Sequence, residues 1–92
     1  MSEGPLQDRV AVVTGASSGI GAAVAGALAR EGARVALAAR RKDALYEAQA
    51  GLKDGGAARS LVVPTDVTDC AQVGSLVSRA EEELGSVDIL VN

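Results

Sequence analysis

Val10-Ala11-Val12-Val13-Thr14-Gly15-Ala16-Ser17-Ser18-Gly19-Ile20-Gly21 reads as a buried strand, a glycine turn and the first turn of a helix. Val10 to Val13 lack the polar alternation of a half-exposed strand, so they fit a central strand of a parallel sheet, covered on both faces. After Thr14 the glycines fall at Gly15, Gly19 and Gly21, and the apolar spacing turns helical through Ile20, Ala23, Val24, Ala27 and Leu28. That switch of period puts the turn at a helix N-terminus. There the first backbone N–H groups have no partner and the helix dipole adds about half a positive charge, so a pyrophosphate is a favourable guest. Glycine lacks a Cβ, can take positive φ and lets the backbone approach a ligand or a neighbouring strand. Ser17 and Ser18 add hydroxyl donors for phosphate oxygens. The competing reading, glycines present for packing alone, weakens because strand, three spaced glycines and helix coincide.

Working outward, four strand patterns alternate with three helical ones: strands near 10–14, 34–39, 60–64 and 87–91, and helices near 19–31, 42–54 and 69–84. Gly32, Gly55-Gly56 and Gly85 stop the helices just before the next strand. Alternation of this kind gives right-handed crossovers and a doubly wound parallel α/β sheet. The expected strand order is 3-2-1-4, with the phosphate turn near the switch point between strands one and four. Residues 1–8 read as a loose leader, and residues 9–92 as one unit without an internal linker. Gly26 interrupts the first helix, which suggests close packing on the sheet. Asp69 with Gln72 three positions on looks like a capping pair for the third helix.

The 92 residues leave room for one domain with a modest core, because a chain of this size buries only about 60 to 65% of its unfolded surface. Tyr46 is the single aromatic residue, so the core must be packed from Val, Leu, Ile and Ala. A net charge of −3, with nine scattered basic residues apart from Arg40-Arg41-Lys42, argues against a nucleic-acid surface. No apolar run approaches the roughly 20 residues that cross a bilayer, and no signal region is recognisable, so neither a membrane partner nor export is expected. The expected setting is cytoplasmic. Cys70 is alone, which suits a reducing compartment, and without any histidine it has no base to activate it as a nucleophile.

The spacing Gly-x-x-x-Gly-x-Gly departs from the Gly-x-Gly-x-x-Gly of most dinucleotide folds, and no Gly-Lys-Ser/Thr follows to make a Walker A loop. With Thr14 in front, Thr-Gly-Ala-Ser-Ser-Gly-Ile-Gly resembles the cofactor motif of the short-chain dehydrogenases/reductases. The resemblance implies a partial Rossmann fold and a nicotinamide dinucleotide on Gly15, Ser17, Ser18, Gly19, Ile20 and Gly21. By the same resemblance Ala39 stands where NAD-preferring members carry an acidic residue that repels a 2′-phosphate. Arg40 follows with a planar guanidinium suited to a dianion, and Arg41 stands beside it. The implied cofactor is NADP(H). A purely solvated basic turn at Arg40, Arg41 and Lys42 is the alternative.

Pro64-Thr65-Asp66-Val67-Thr68 resembles the family segment whose Asp contacts the adenine amino group, which places Asp66 and Val67 at the cofactor; taken alone, Asp66 reads as a turn or cap residue. Asp88-Ile89-Leu90-Val91-Asn92 is similar to the start of the family's Asn-Asn-Ala-Gly motif, so Asn92 is expected on the cofactor side. The family transfers hydride between nicotinamide C4 and a carbonyl or alcohol carbon, using a tyrosine, a lysine four residues later, a serine and an asparagine. None of these is recognisable here. Tyr46 is followed at that spacing by Ala50 and reads as a packing residue, and no metal site suggests itself. The expectation is therefore a cofactor-binding N-terminal portion, inactive by itself, of a longer reductase. That parent would meet a small carbonyl or alcohol substrate and, by the resemblance, form a homo-oligomer. A non-catalytic nucleotide-binding or dimerising fragment is the alternative.

Overall fold

Strand β1 (Val10–Thr14) lies at the centre of a four-stranded parallel sheet, in which β2 (Arg34–Ala39), β3 (Ser60–Pro64) and β4 (Ile89–Val91) follow in the order β3-β2-β1-β4. The computed structural model describes residues 6–17, 19–54 and 59–91. Helices α1 (Gly19–Arg30), α2 (Lys42–Asp54) and α3 (Cys70–Glu83) connect the strands. The strand order and the parallel pairing are those expected from the alternation. In register, Val12 stands opposite Ala36 on one side and Leu90 on the other.

The unbroken apolar runs are explained by layers on both faces. Val13, Val35, Leu37 and Ala39 pack with Ala25 and Ala29 of α1 and Leu45 and Leu52 of α2. On the opposite face Val10, Val12, Ala36, Ala38 and Val63 pack with Leu76 and Ala80 of α3 and with Leu84. Complete burial of a side chain such as Leu37 or Val12 contributes about 1.5–3 kcal/mol each, so these strands hold the small core together.

Several local expectations are corrected. The spacing Ile20, Ala23, Val24, Ala27, Leu28 does not mark the buried stripe of α1. Ala25 and Ala29 are the buried residues, while Ile20, Ala23 and Ala27 are exposed. Nor does Gly26 serve close packing on the sheet, because a Cβ there would meet only the Arg30 side chain, at 3.5 Å. Tyr46 is about half exposed (51%), so packing explains only part of that side chain. Residues 6–8 are not loose: Leu6 N–H donates to the Glu31 carbonyl at 2.9 Å, and Asp8 pairs with Arg34 at 3.2 Å. Strand β4 begins at Ile89 rather than at 87. The Asp88 carboxylate takes the Val10 N–H at 3.0 Å, where a continued ladder would use a main-chain carbonyl. Gly32 ends α1 as expected, with the Ala33 N–H reaching back to the Leu28 carbonyl at 3.1 Å. The stop assigned to Gly55-Gly56 lies outside the described residues.

Candidate functional site

The carboxyl ends of β1, β2 and β3 converge on two adjoining hollows that share Arg40 and Thr65. The first, of about 270 Å³, is lined by Gly15, Ser17, Ala39, Arg40, Arg41, Thr65 and Val67. The second, of about 200 Å³, is lined by Arg40, Pro64, Thr65, Asp66 and Gln72. Main-chain hydrogen bonds fix these strand ends side by side. The Ala16 N–H donates to the Ala38 carbonyl at 3.1 Å, and the Thr65 N–H donates to the Ala39 carbonyl at 2.8 Å. The buried Thr65 hydroxyl donates to the Val63 carbonyl at 2.9 Å, which holds the chain where it leaves β3.

The glycines of the turn divide the work between them. Gly15 and Gly19 have φ of 65° and 53°, and a Cβ on either would meet nothing within 4 Å, so the turn faces open space. Gly21 is different. A Cβ there would run into the Gly15 carbonyl and come within 2.8 Å of the Gly15 carbonyl carbon, so only glycine lets α1 start this close under the turn. An open cradle of positive-φ backbone at a helix N-terminus fits a phosphate group, whose oxygens would fill the space that side chains leave free.

At the end of β2, Arg41 pairs with Asp43 at 3.3 Å, with both side chains exposed. Arg40 forms no ion pair among the described residues and stands at the junction of the two hollows. The Asp43 carboxyl is held below its usual range by the Ala44 N–H and, next, by the charge of Arg41. The Asp66 carboxylate accepts the Thr68 hydroxyl at 2.6 Å and the Thr68 N–H at 2.9 Å through one oxygen. Those bonds to Thr68 hold its carboxyl below the usual range, and Arg40 adds a smaller pull in the same direction. A guanidinium without a carboxylate partner, beside a carboxylate kept ionised, suits a ligand that carries both an anionic group and hydrogen-bond donors.

Of the residues singled out from the sequence, Gly15, Ser17, Arg40, Arg41 and Val67 come together on one hollow and Asp66 lines the next. Gly19 and the 84% exposed Ile20 open α1 beside the turn without lining either hollow, and Gly21 supports the turn from beneath. Ser18 and Asn92 lie outside the described residues. Thr65 and Gln72 also line these hollows but are not singled out by the sequence as site residues: Thr65 stands only within the segment 64–68, and Gln72 only as the partner of Asp69 in a capping pair. A larger depression of about 400 Å³ opens at the other end of the sheet. Its charges are already spent within the protein, Arg34 on the Leu84 carbonyl at 2.8 Å and on Asp8, and Asp88 on Val10 and Arg9. Ligands of open α/β sheets bind at the carboxyl ends of the strands, which favours the two smaller hollows.

A parallel sheet in this order, with a glycine turn at its switch point, defines a Rossmann-type α/β protein. The family model for the short chain dehydrogenases matches residues 9–92, and the chain belongs to that family. It is 63% identical over 89 residues to glycine betaine reductase ATRR of Emericella nidulans, which covers 97% of this chain and 7% of that protein. The glucose dehydrogenase of Caenorhabditis elegans, solved in its apo form, superposes with a TM-score of 0.91 at 36% identity, covering 96% of this chain and 38% of that one. The L-sorbose reductase of Gluconobacter frateurii, solved with NADPH and L-sorbose, gives 0.89 at 43% identity, covering 100% of this chain and 35% of that one. The chain thus spans well under half the length of each of these relatives. Among the described residues, no helix is long and apolar enough to cross a membrane.

Proposed function

We propose that this chain is the NADP(H)-binding portion of a short-chain oxidoreductase. The observation that carries the reading is Arg40, a guanidinium without an ion-pair partner among the described residues, at the end of β2 and between the glycine-turn hollow and the Asp66 hollow. In this reading the pyrophosphate lies on Gly15, Ser17, Ser18 and Gly19, with Ile20 at the mouth and Gly21 beneath. Arg40, assisted by Arg41, takes the 2′-phosphate, Asp66 and Val67 border the adenine, and Asn92 is assigned to the cofactor by its likeness to the family's Asn motif. The absence of an acidic side chain at Ala39 supports the phosphorylated dinucleotide over NAD. When bound, the cofactor supplies or accepts a hydride at nicotinamide C4. The chain's own residues bind and orient it, while proton transfer and substrate contacts belong to further sequence of a longer, cytoplasmic and homo-oligomeric protein.

Titration with NADPH and NADH tests the assignment. Saturable binding of NADPH with weaker binding of NADH is expected. Arg40→Asp should weaken NADPH by roughly ten- to a hundredfold, the range for losing a hydrogen bond to a charged group. Equal affinity for both dinucleotides, unchanged by Arg40→Asp, would overturn it.

One further observation favours a narrower reading of the parent. The 63% identity to a protein named glycine betaine reductase supports reduction as its direction and a small quaternary ammonium compound as its substrate. Because hydride adds to a carbonyl and not to a free carboxylate, the longer protein should then oxidise NADPH when supplied with the aldehyde derived from glycine betaine, and failure to do so removes this substrate class.

A further inference from the structure

Gln72 occupies the third position of α3, where a capping glutamine would return a hydrogen bond to the N–H of the capping residue. Asp69 is that cap: its carboxylate accepts the Ala71 N–H at 3.0 Å and the Gln72 N–H at 3.3 Å. The reciprocal bond is absent, because the Asp69 N–H already donates to the Asp66 carbonyl at 3.0 Å. Gln72 reaches past it instead. Its Oε1 accepts the Asp66 N–H at 2.8 Å, and its Nε2 donates to the other carboxylate oxygen of Asp69 at 3.3 Å. Both ends of the amide are thus committed to the segment between β3 and α3, and the side chain forms part of the wall facing Arg40.

The consequence lies at Asp66. Its N–H is held by Gln72, its carbonyl by Asp69 and one carboxylate oxygen by Thr68, so its remaining carboxylate oxygen is presented in one orientation beside the Arg40 hollow. Thr68 and Asp69 act from within the turn. Gln72 is the tie that comes from the body of α3, and α3 is packed against the sheet through Leu76 and Ala80. We propose that Gln72 is a positioning residue for the adenosine end of the dinucleotide, anchoring Asp66 to α3; this rests on the reading of the site given above.

Gln72 is exposed, so its truncation removes no core contact. The first measurement is amide hydrogen exchange in the unliganded protein, where Gln72→Ala should speed exchange at Asp66 and leave the β1 and β2 amides protected. The second is binding of adenosine 2′,5′-bisphosphate and, separately, inorganic pyrophosphate. Gln72→Ala should weaken the bisphosphate about five- to tenfold, as the loss of one neutral hydrogen bond implies, and leave pyrophosphate unchanged. Gln72→Glu keeps an acceptor for the Asp66 N–H but sets a carboxylate against Asp69. It should lose less protection at Asp66 than Gln72→Ala does, and it serves if the alanine variant fails to fold. Unchanged exchange at Asp66, or equal weakening of both ligands, overturns the proposal. A wild-type protein in which Gln72 protects Asp66 but which binds no bisphosphate overturns the NADP(H) reading itself, and with it the nucleotide role of Gln72.

Discussion

Gly21 and Asp66 show how single positions shape this site. At Gly21 the constraint is space, because any Cβ collides with the Gly15 carbonyl carried by the neighbouring turn. Gly21→Ala must push the turn and α1 apart and should cost roughly 1–3 kcal/mol, the usual cost of overpacking, read as a lower urea midpoint with unchanged slope. At Asp66 the constraint is electrostatic. The Thr68 hydroxyl and N–H lower its carboxyl below the usual 3.8. A depressed carboxyl contributes stability that is fully present above the unfolded-state value and is lost as pH falls through the folded-state pKa. A carbon-detected NMR titration should therefore place Asp66 below 3.8, and Thr68→Val, which removes the hydroxyl donor, should move it upward toward that value. The sequence reveals Asp66 as a turn or site residue, but its donors come from the local chain path. The bond from Gln72 depends on a competition for the Asp69 N–H that no spacing rule expresses.

Along the elements, the strands follow the sequence closely because unbroken runs such as Val35-Ala36-Leu37-Ala38-Ala39 suit only a sheet covered on both faces. The helix ends are also legible, since Gly32 and the Asp69 cap act through bonds local to the chain. The buried face of α1 is not. In a helix so rich in alanine and glycine, apolar residues occupy nearly every position, and only the docked sheet selects Ala25 and Ala29 over Ala23 and Ala27. The same helix offers a test. Gly26 has ordinary helical backbone and faces only the Arg30 side chain, so Gly26→Ala should stabilise the protein by about 1 kcal/mol, measured by urea denaturation. If close packing on the sheet had selected glycine there, the same substitution would destabilise.

For the whole molecule, β4 joins the sheet through residues almost eighty positions from its partner strand. Asp88 uses both its N–H and its carboxylate on Val10, and the Thr14 hydroxyl donates to the Val91 carbonyl at 3.2 Å at the other end of the strand. These two ties hold a three-residue strand whose Leu90 is 61% exposed. Asp88→Ala should leave the part-buried Val10 N–H without an acceptor, cost about 1 kcal/mol, and speed amide exchange in β4 more than in β2 or β3. Equal acceleration in all strands would mean that β4 is not separately tied. The sequence by itself determined the α/β alternation, the strand order and the glycine turn, because hydrophobic period, glycine spacing and crossover handedness are local or follow from short connections. Only the tertiary structure decided that Arg40 stands between two hollows, that Gly21 lies beneath the Gly15 carbonyl, and that Gln72 reaches Asp66 rather than its own cap. Each of these depends on distances between separate elements, and such distances are set by how side chains pack the elements together.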